Sequence, residues 1–387
     1  MRILYVNQTA QVSGAEQSLL ALLAGFAGEP EALVACPGGE LSDAVRAIGL
    51  DVAPITGTQA SFRLHPLHTS RGLIEIGRSS LQVRRLASRV APDLIHANTT
   101  RASLLALPAR RRSGPPVIAH IRDWAPEGRF SRFVLGVIAR RADAILANSA
   151  YIARQFDGLP LREPVRVVHN PVDLGRFDPA AVYGAGVRRE LGLAEDATVL
   201  AVVAQLTPWK GQDDAIKAFA SLAPRAPETA LLLVGSAKFA GPGTQFDNRA
   251  FERDLHDLAA ELGVAERVRF LGERSDIPAV LAATDVLLMP SWREAFGRVA
   301  IEAMAIGVPV VASDVGGPAE IVRDGVDGLL LPPRRPEKWA AELGKLVDDR
   351  ERRATMGCRA LERARDFSLD KHVAVVRSVY DDLLKAR

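Results

Sequence analysis

The chain is 387 residues long, 48% hydrophobic and 25% charged, enough to bury the cores of two ordinary domains. No apolar run approaches the ~20 residues that span a bilayer, and Met1-Arg-Ile-Leu-Tyr-Val6 enters a predicted strand with no signal-peptide cleavage region, so a soluble cytoplasmic protein is expected. The net charge of +3 hides an asymmetry: residues 1–180 hold 21 Arg and no Lys against 15 Asp and Glu, a balance of +6, which leaves −3 for the remainder.

Short apolar strands alternate with helical stretches, the pattern of parallel sheets covered by helices. In the first half strands are predicted at 3–6, 32–35, 52–55, 94–96, 117–120, 144–147 and 165–168. Gly14, in Val12-Ser-Gly-Ala-Glu16, follows the first strand and opens the first helix. Alone it marks a turn, since no complete Gly-x-Gly-x-x-Gly fingerprint surrounds it. Residues 63–112 hold ten arginines, from Arg63 to Arg112, against only Glu75 and Asp93, a local charge of +8. The run reads either as solvated helix faces or as a surface for anionic lipid headgroups or a phosphorylated partner, which would place the protein peripherally at the inner membrane face. No interleaved aromatics or nucleic-acid module accompany it, so nucleic acid is not an expected partner. His96 and His120 each end a predicted strand, and Arg122 and Asp123 follow His120 closely enough to share its site or to pair with each other. Asn148-Ser149 and His169-Asn-Pro-Val-Asp173 read as structural segments.

A turn-rich stretch at 170–186 breaks the rhythm, which restarts with strands at 199–203, 230–234, 268–271, 286–289 and 308–312. Two Rossmann-like domains are predicted, 1–180 and 181–365. Ligands of such sheets bind outside the carboxyl ends of the strands, so the expected site is a cleft faced by both domains. Lys210, in Leu206-Thr-Pro-Trp-Lys-Gly-Gln212, lies between a strand and a helix, where an ammonium can neutralise a leaving diphosphate. Metal ligation is poorly supported: no His or Cys pair has ligand spacing, and Asp213-Asp214 reads as the acidic first turn of a helix. Cys36 and Cys358 match no redox spacing and predict reduced thiols. Residues 245–250 and Gly316-Gly317 read as loops at the site, the second supporting Glu294.

The most informative tract is Ser291-Trp-Arg-Glu-Ala-Phe-Gly-Arg-Val-Ala-Ile-Glu302. Asp285-Val-Leu-Leu-Met-Pro290 has the form of a buried strand ended by proline, and 296–306 has helical spacing. Glu294 then sits in the loop, Gly297 lets the backbone approach a ligand, and the first turn from Phe296 through Arg298 to Val299 forms an anion site. Glu302 follows ~6 to 9 Å further along the helix, where a carboxylate can accept from both hydroxyls of a ribose whose phosphate rests on the helix start.

This tract resembles the Glu-x7-Glu signature of the retaining GT-B glycosyltransferases of family 4. Pro290-Ser291, Glu302-Ala-Met-Ala305, Gly307-Val-Pro-Val-Val-Ala312, Gly316-Gly-Pro-Ala-Glu-Ile-Val322 and Asp324-Gly-Val-Asp-Gly328 extend the match. Two glutamates alone would be weak evidence, but this ordered set is specific. The resemblance implies an α/β chain of GT-B fold, with a last helix at 366–387 that packs back on the first domain. It also implies a sugar transferred from a nucleotide diphosphate, UDP before GDP, to a hydroxyl of a glycan, glycolipid or other glycoconjugate. Lys210 matches the family's phosphate lysine and His120 the histidine that reaches the transferred sugar. Glu294 would accept from sugar hydroxyls and Glu302 would hold the ribose. No metal or other cofactor is implied. Two departures stand out: Gln205 replaces an arginine usual five residues before the lysine, so Arg293 or Arg298 would have to supply that cation, and Ser13 replaces the first glycine of a Gly-Gly-Ala-Glu turn around Gly14. A GT-B nucleotide-sugar epimerase and a non-catalytic nucleotide-sugar-binding subunit are the alternatives. A binding subunit is expected to have lost Lys210, Glu294 or Glu302, all of which are present.

Overall fold

The computed structural model describes residues 1–58, 66–110, 114–238 and 246–386, of which 66–71 by their backbone. The first sheet contains β1 (Arg2–Val6), β2 (Glu31–Cys36), β3 (Asp51–Pro54), β4 (Leu94–Ala97), β5 (Val117–Ile121), β6 (Ala144–Ala147) and β7 (Arg166–Val167), all parallel, in the order β3-β2-β1-β4-β5-β6-β7. The second contains β8 (Thr198–Val203), β9 (Thr229–Val234), β10 (Val268–Gly272), β11 (Val286–Met289), β12 (Val310–Ser313) and β13 (Gly328–Leu331), also parallel, in the order β10-β9-β8-β11-β12-β13. Helices alternate with the strands in both. Strands covered on both faces need continuous apolar runs, and Val117–Ile121, Ala144–Ala147, Val286–Met289 and Val310–Ser313 are buried at every position.

Contacts divide the chain into one unit of Met1–Pro171 with Leu369–Arg387 and another of Val172–Ser368. The helix Leu369–Lys385 inserts Val376, Val379 and Tyr380 among Tyr5, Leu19 and Leu22 of the first core. A Cβ on Gly25 would lie 2.7 Å from Val373 Cγ2, so a side chain there would force the last helix away. Val172 and Phe177 pack with Phe296 and Phe367 in the second unit's core, which is why the division falls at the start of the turn-rich stretch. Cys36 is buried and Cys358 exposed, both as free thiols.

The predicted strands appear with ends within two residues of those expected, those at 144–147 and 286–289 unchanged, and two corrections have clear causes. β12 starts at Val310, after Pro309, which has no N–H to pair. β13 was not predicted: its run Gly-Leu-Leu-Leu is short, and Gly328 marks a close approach in which a Cβ would lie 2.1 Å from Val310 O. At 245–250, Gln245 lies outside the described residues, and the chain is already helical from Asn248, capped by Asp247 accepting from Ala250 N–H at 3.0 Å. Among the described residues no helix is long and apolar enough to cross a membrane.

Candidate active site

The order of the second sheet reverses between β8 and β11, which pair Leu200 with Val286 and Ala201 with Leu287. Loops leaving such neighbours diverge and make room for a ligand. The loop after β8 carries Lys210 and the loop after β11 carries Glu294. The 3-10 turn Pro208–Lys210 ends on Gly211 at φ +71°, where a Cβ would lie 2.2 Å from Pro290 O, so only glycine fits. Trp292 N–H donates to Trp209 O at 2.9 Å and ties the two loops together. The Lys210 ammonium donates to Glu294 Oε2, with the side chains only 17% and 10% exposed, and Ser291 Oγ stands 3.4 Å from the same oxygen.

Gly316-Gly317 braces this loop from the other side. Gly317 N–H donates to Glu294 O at 2.9 Å. A Cβ on Gly316 would lie 2.0 Å from Glu294 O and one on Gly317 2.3 Å from Phe296 Cα, so any side chain would displace Glu294.

The helix after this loop runs Arg298–Ala305, starting two residues later than expected. Gly297 has φ +93°, a left-handed conformation that no helical residue adopts, and it serves as the N-cap. Phe296 is a core residue, 1% exposed, its ring 6.0 Å from Phe367. The positive end of the helix dipole therefore begins at Arg298 and includes Val299. Glu302 lies one turn on, its Oε1 accepting from Arg298 Nη2 at 2.9 Å. Arg298 is thus engaged by Glu302, while Gln205 is half-buried and its carbonyl accepts from Gln212 Nε2 at 2.9 Å. Asp213 and Asp214 occupy the first turn of the helix Gln212–Leu222. Asp213 pairs with Lys217 at 2.9 Å, and Asp214 accepts from Trp292 Nε1 at 3.2 Å, with burial and the neighbouring Asp213 holding its carboxyl above the usual range.

In the first unit the ends of β1, β4 and β5 meet in a buried polar network. Arg122 donates through Nε to Asn98 Oδ1 at 2.9 Å and through Nη1 to Asn170 Oδ1, and its Nη2 lies 3.2 Å from His120 Nδ1. His96 spans from Tyr380 Oη, 2.7 Å from its Nδ1, to His120 Nδ1, 3.1 Å from its Nε2. Asn98 Nδ2 donates to Asn7 Oδ1 at 3.1 Å, and Asn7 Nδ2 to Glu16 Oε1 at 3.2 Å. Ser13, the residue in place of glycine, donates through Oγ to Glu16 Oε2 at 2.6 Å and through its N–H to the same oxygen at 3.1 Å. Gly14 follows as the exposed first residue of the helix Gly14–Gly25. Asp123 accepts from Thr100 Oγ1 at 2.8 Å. The segments read as structural join this network: Asn148 Nδ2 donates to Arg122 O at 3.2 Å, and Asn170 anchors the Arg122 guanidinium.

Burial, reinforced by the Arg122 charge, holds His96 and His120 well below the usual histidine range and pushes His372 down to about 3. All three are neutral when folded at pH 7, and the unfolded chain binds their protons below about pH 6.5. Stability is therefore complete above that value and falls with acidification, by ~1.4 kcal/mol per pH unit for each histidine that stays neutral when folded, or ~4 for the three. Urea midpoints at pH 7.5, 6 and 5 measure the slope. His372→Asn, which keeps an N–H toward His169 O, should remove about one proton from it. An unchanged slope would mean that His372 is charged in the folded protein.

The sequence matches the family model for group 1 glycosyl transferases over residues 186–363 and that for glycosyltransferase family 4 over 12–176. It is 36% identical over 332 residues to a D-inositol 3-phosphate glycosyltransferase of Salinispora arenicola, covering 79% of this chain and 72% of the relative. The chain belongs to glycosyltransferase family 4. A second relative, the D-inositol 3-phosphate glycosyltransferase of Actinosynnema mirum, is 35% identical, with 74% of this chain and 72% of the relative covered. The crystal structure of Anabaena HepE in complex with UDP-glucose superimposes with a TM-score of 0.82 at 28% identity, covering 99% of this chain and 100% of that one. The two Rossmann-like units are those of a GT-B glycosyltransferase.

In this family 4 glycosyltransferase the second unit brings together Lys210, Glu294, Gly297, Arg298, Val299 and Glu302, with Gln205 on the strand-end side of the lysine loop. His120 and Gly14 lie in the first unit. Sequence reasoning missed Tyr380 and His372 and singled out His96 only as the end of a strand. Tyr380 stands 284 positions from His96, and no local pattern signals such a pair.

Proposed function

We propose that the chain is a retaining glycosyltransferase that moves a sugar from a UDP-sugar, with a GDP-sugar as second choice, to an acceptor hydroxyl. The observation that carries this reading is the placement of Lys210, Glu294 and the helix bearing Glu302 around the β8–β11 reversal. HepE, crystallised with UDP-glucose, supports uracil as the base. Glu302 takes the ribose hydroxyls, the start of the helix Arg298–Ala305 and Lys210 take the diphosphate, and Glu294 takes sugar hydroxyls. His120 and Gly14 act on the sugar side of the donor. The bond from the anomeric carbon to the leaving phosphate breaks, the acceptor oxygen bonds to the same face of that carbon, and the acceptor proton passes to the leaving phosphate oxygen. Glu294 orients and stabilises this exchange and forms no covalent bond.

A thermal-shift screen with UDP, GDP and ADP and their sugar conjugates tests the donor, since a ligand at 100 times its Kd stabilises by about 2.7 kcal/mol. The anomeric configuration of the product by NMR tests retention, and inversion would overturn it. A product formed from donor alone would favour the epimerase. Charge neutralisation falls to Lys210 and the helix dipole, so transfer should persist in EDTA. Loss on chelation, restored by Mg²⁺ or Mn²⁺, would refute metal independence.

For the acceptor we favour an anionic molecule presented at a lipid surface. The relatives are named for D-inositol 3-phosphate, itself anionic. The helix Pro66–Val90 exposes Leu73 (58%), Ile74 (71%) and Leu81 (43%) beside exposed Arg78, Arg84, Arg85 and Arg89, an arrangement suited to anionic headgroups. Arg63, Arg111 and Arg112 lie outside the described residues, and Arg110 is paired with Asp143 at 2.8 Å. Co-sedimentation at low salt should recover more protein with anionic than with neutral vesicles. Neutralising Arg78, Arg84, Arg85 and Arg89 together should remove the difference, at about 1 kcal/mol per arginine. Equal recovery by the wild-type protein would eliminate the membrane form of the acceptor.

A further inference from the structure

We infer that Arg122 sets the tautomer of His120, so that His120 carries its single proton on Nε2 and is a hydrogen-bond donor there. A guanidinium is always protonated and can only donate. Arg122 Nη2, 3.2 Å from His120 Nδ1, therefore requires a bare lone pair on that nitrogen. His120 is fully buried and neutral, so its one proton must be on Nε2. Two bare nitrogens cannot face each other favourably, so His96, whose Nε2 lies 3.1 Å from His120 Nδ1, donates from Nε2. Its Nδ1 is then bare and accepts from the Tyr380 hydroxyl at 2.7 Å. Tyr380 remains a phenol because burial raises its pKa well above the usual tyrosine range.

Without Arg122 the chain of contacts reads equally well in reverse. His120 would donate from Nδ1 to His96 Nε2, His96 from Nδ1 to Tyr380 Oη, and His120 Nε2 would become an acceptor. Arg122 selects one of two directions, and Asn98 and Asn170 hold its guanidinium in the plane that does so. The selected form leaves His120 Nε2, an N–H, buried with no hydrogen-bond partner among the described residues. Such a donor is satisfied by an incoming oxygen and repelled by an ammonium. This deepens, and rests on, the reading that His120 meets the transferred sugar: the group opposite Nε2 is an acceptor oxygen, and Arg122 is a positioning residue that acts through His120.

The tautomers are read in the unliganded protein labelled with ¹⁵N-histidine, by long-range ¹H–¹⁵N correlation at pH 7.5. His120 and His96 should show protonated Nε2 and bare Nδ1. His372, whose Nδ1 stands 2.7 Å from the His169 carbonyl oxygen, should show the opposite pattern and serves as internal control. In Arg122→Gln the amide can donate or accept, so the His120 proton should be shared between Nδ1 and Nε2, and turnover should fall in proportion to the Nδ1 fraction at unchanged UDP affinity. Arg122→Lys keeps a donor and should keep the Nε2 proton, and Tyr380→Phe, which leaves Arg122 in place, should keep it too. A proton on His120 Nδ1 in the wild-type protein or in Arg122→Lys, or a proton held exclusively on Nε2 in Arg122→Gln, would overturn the inference. If Arg122→Gln does not fold, the wild-type and Arg122→Lys spectra still decide. A tautomer that moves with no change in turnover upholds the control by Arg122 and instead refutes contact between His120 and the sugar.

Discussion

Glu294→Gln is expected to lower turnover about 100-fold while leaving UDP affinity within about threefold, because the lost charge acts on the sugar and the reacting centre and not on the nucleoside. In the resting protein Glu294 holds the Lys210 ammonium, and both side chains are largely withdrawn from solvent. A donor diphosphate competes for that ammonium, so binding and pairing are linked. Gln keeps the shape and the hydrogen-bonding capacity but removes the charge, and Lys210 is then freer to meet phosphate. UDP affinity should accordingly hold or rise slightly even as transfer fails. Calorimetry with UDP and steady-state transfer rates separate the two quantities, and a melting curve guards against a folding defect, since Gly316 and Gly317 brace the loop through its backbone. Transfer at the wild-type rate would remove Glu294 from the chemistry. A parallel loss of UDP affinity would instead make it a nucleotide ligand.

Glu302→Ala should act on the other half of the donor. A carboxylate hydrogen bond contributes about 1.5 to 3 kcal/mol, or roughly 10- to 150-fold in affinity. The Arg298–Glu302 ion pair makes the expectation more specific. With Glu302 removed, Arg298 loses its carboxylate and becomes an additional cation at the helix end proposed to bind diphosphate. The loss should therefore be greater for uridine than for UDP, because only UDP can recover part of it from Arg298. Equal losses for the two ligands would mean that Arg298 does not reach the phosphates, and unchanged affinity for both would remove Glu302 from the ribose site.

What the sequence determined by itself was everything written in local pattern. Apolar runs such as Val286–Met289 and Ala144–Ala147 fix parallel strands because both faces are covered, and the turn residues between them fix the alternation. The Glu294 to Glu302 spacing placed one carboxylate in a loop and the other on a helix, since both belong to one strand-loop-helix unit. The tertiary structure decided what depends on distant partners. Whether Phe296 belonged to the helix turned on the left-handed Gly297 and on a pocket that Phe367 fills, 71 positions away by the difference of their numbers. Arg298 looked available to replace the cation missing at Gln205, but a side chain one helical turn on claims it. His96 read as an ordinary strand-end histidine until Tyr380, Arg122 and His120 were brought around it. The direction of such a network depends on which neighbour can only donate. That is settled when three strand ends and the last helix pack together, and no window along the chain contains it.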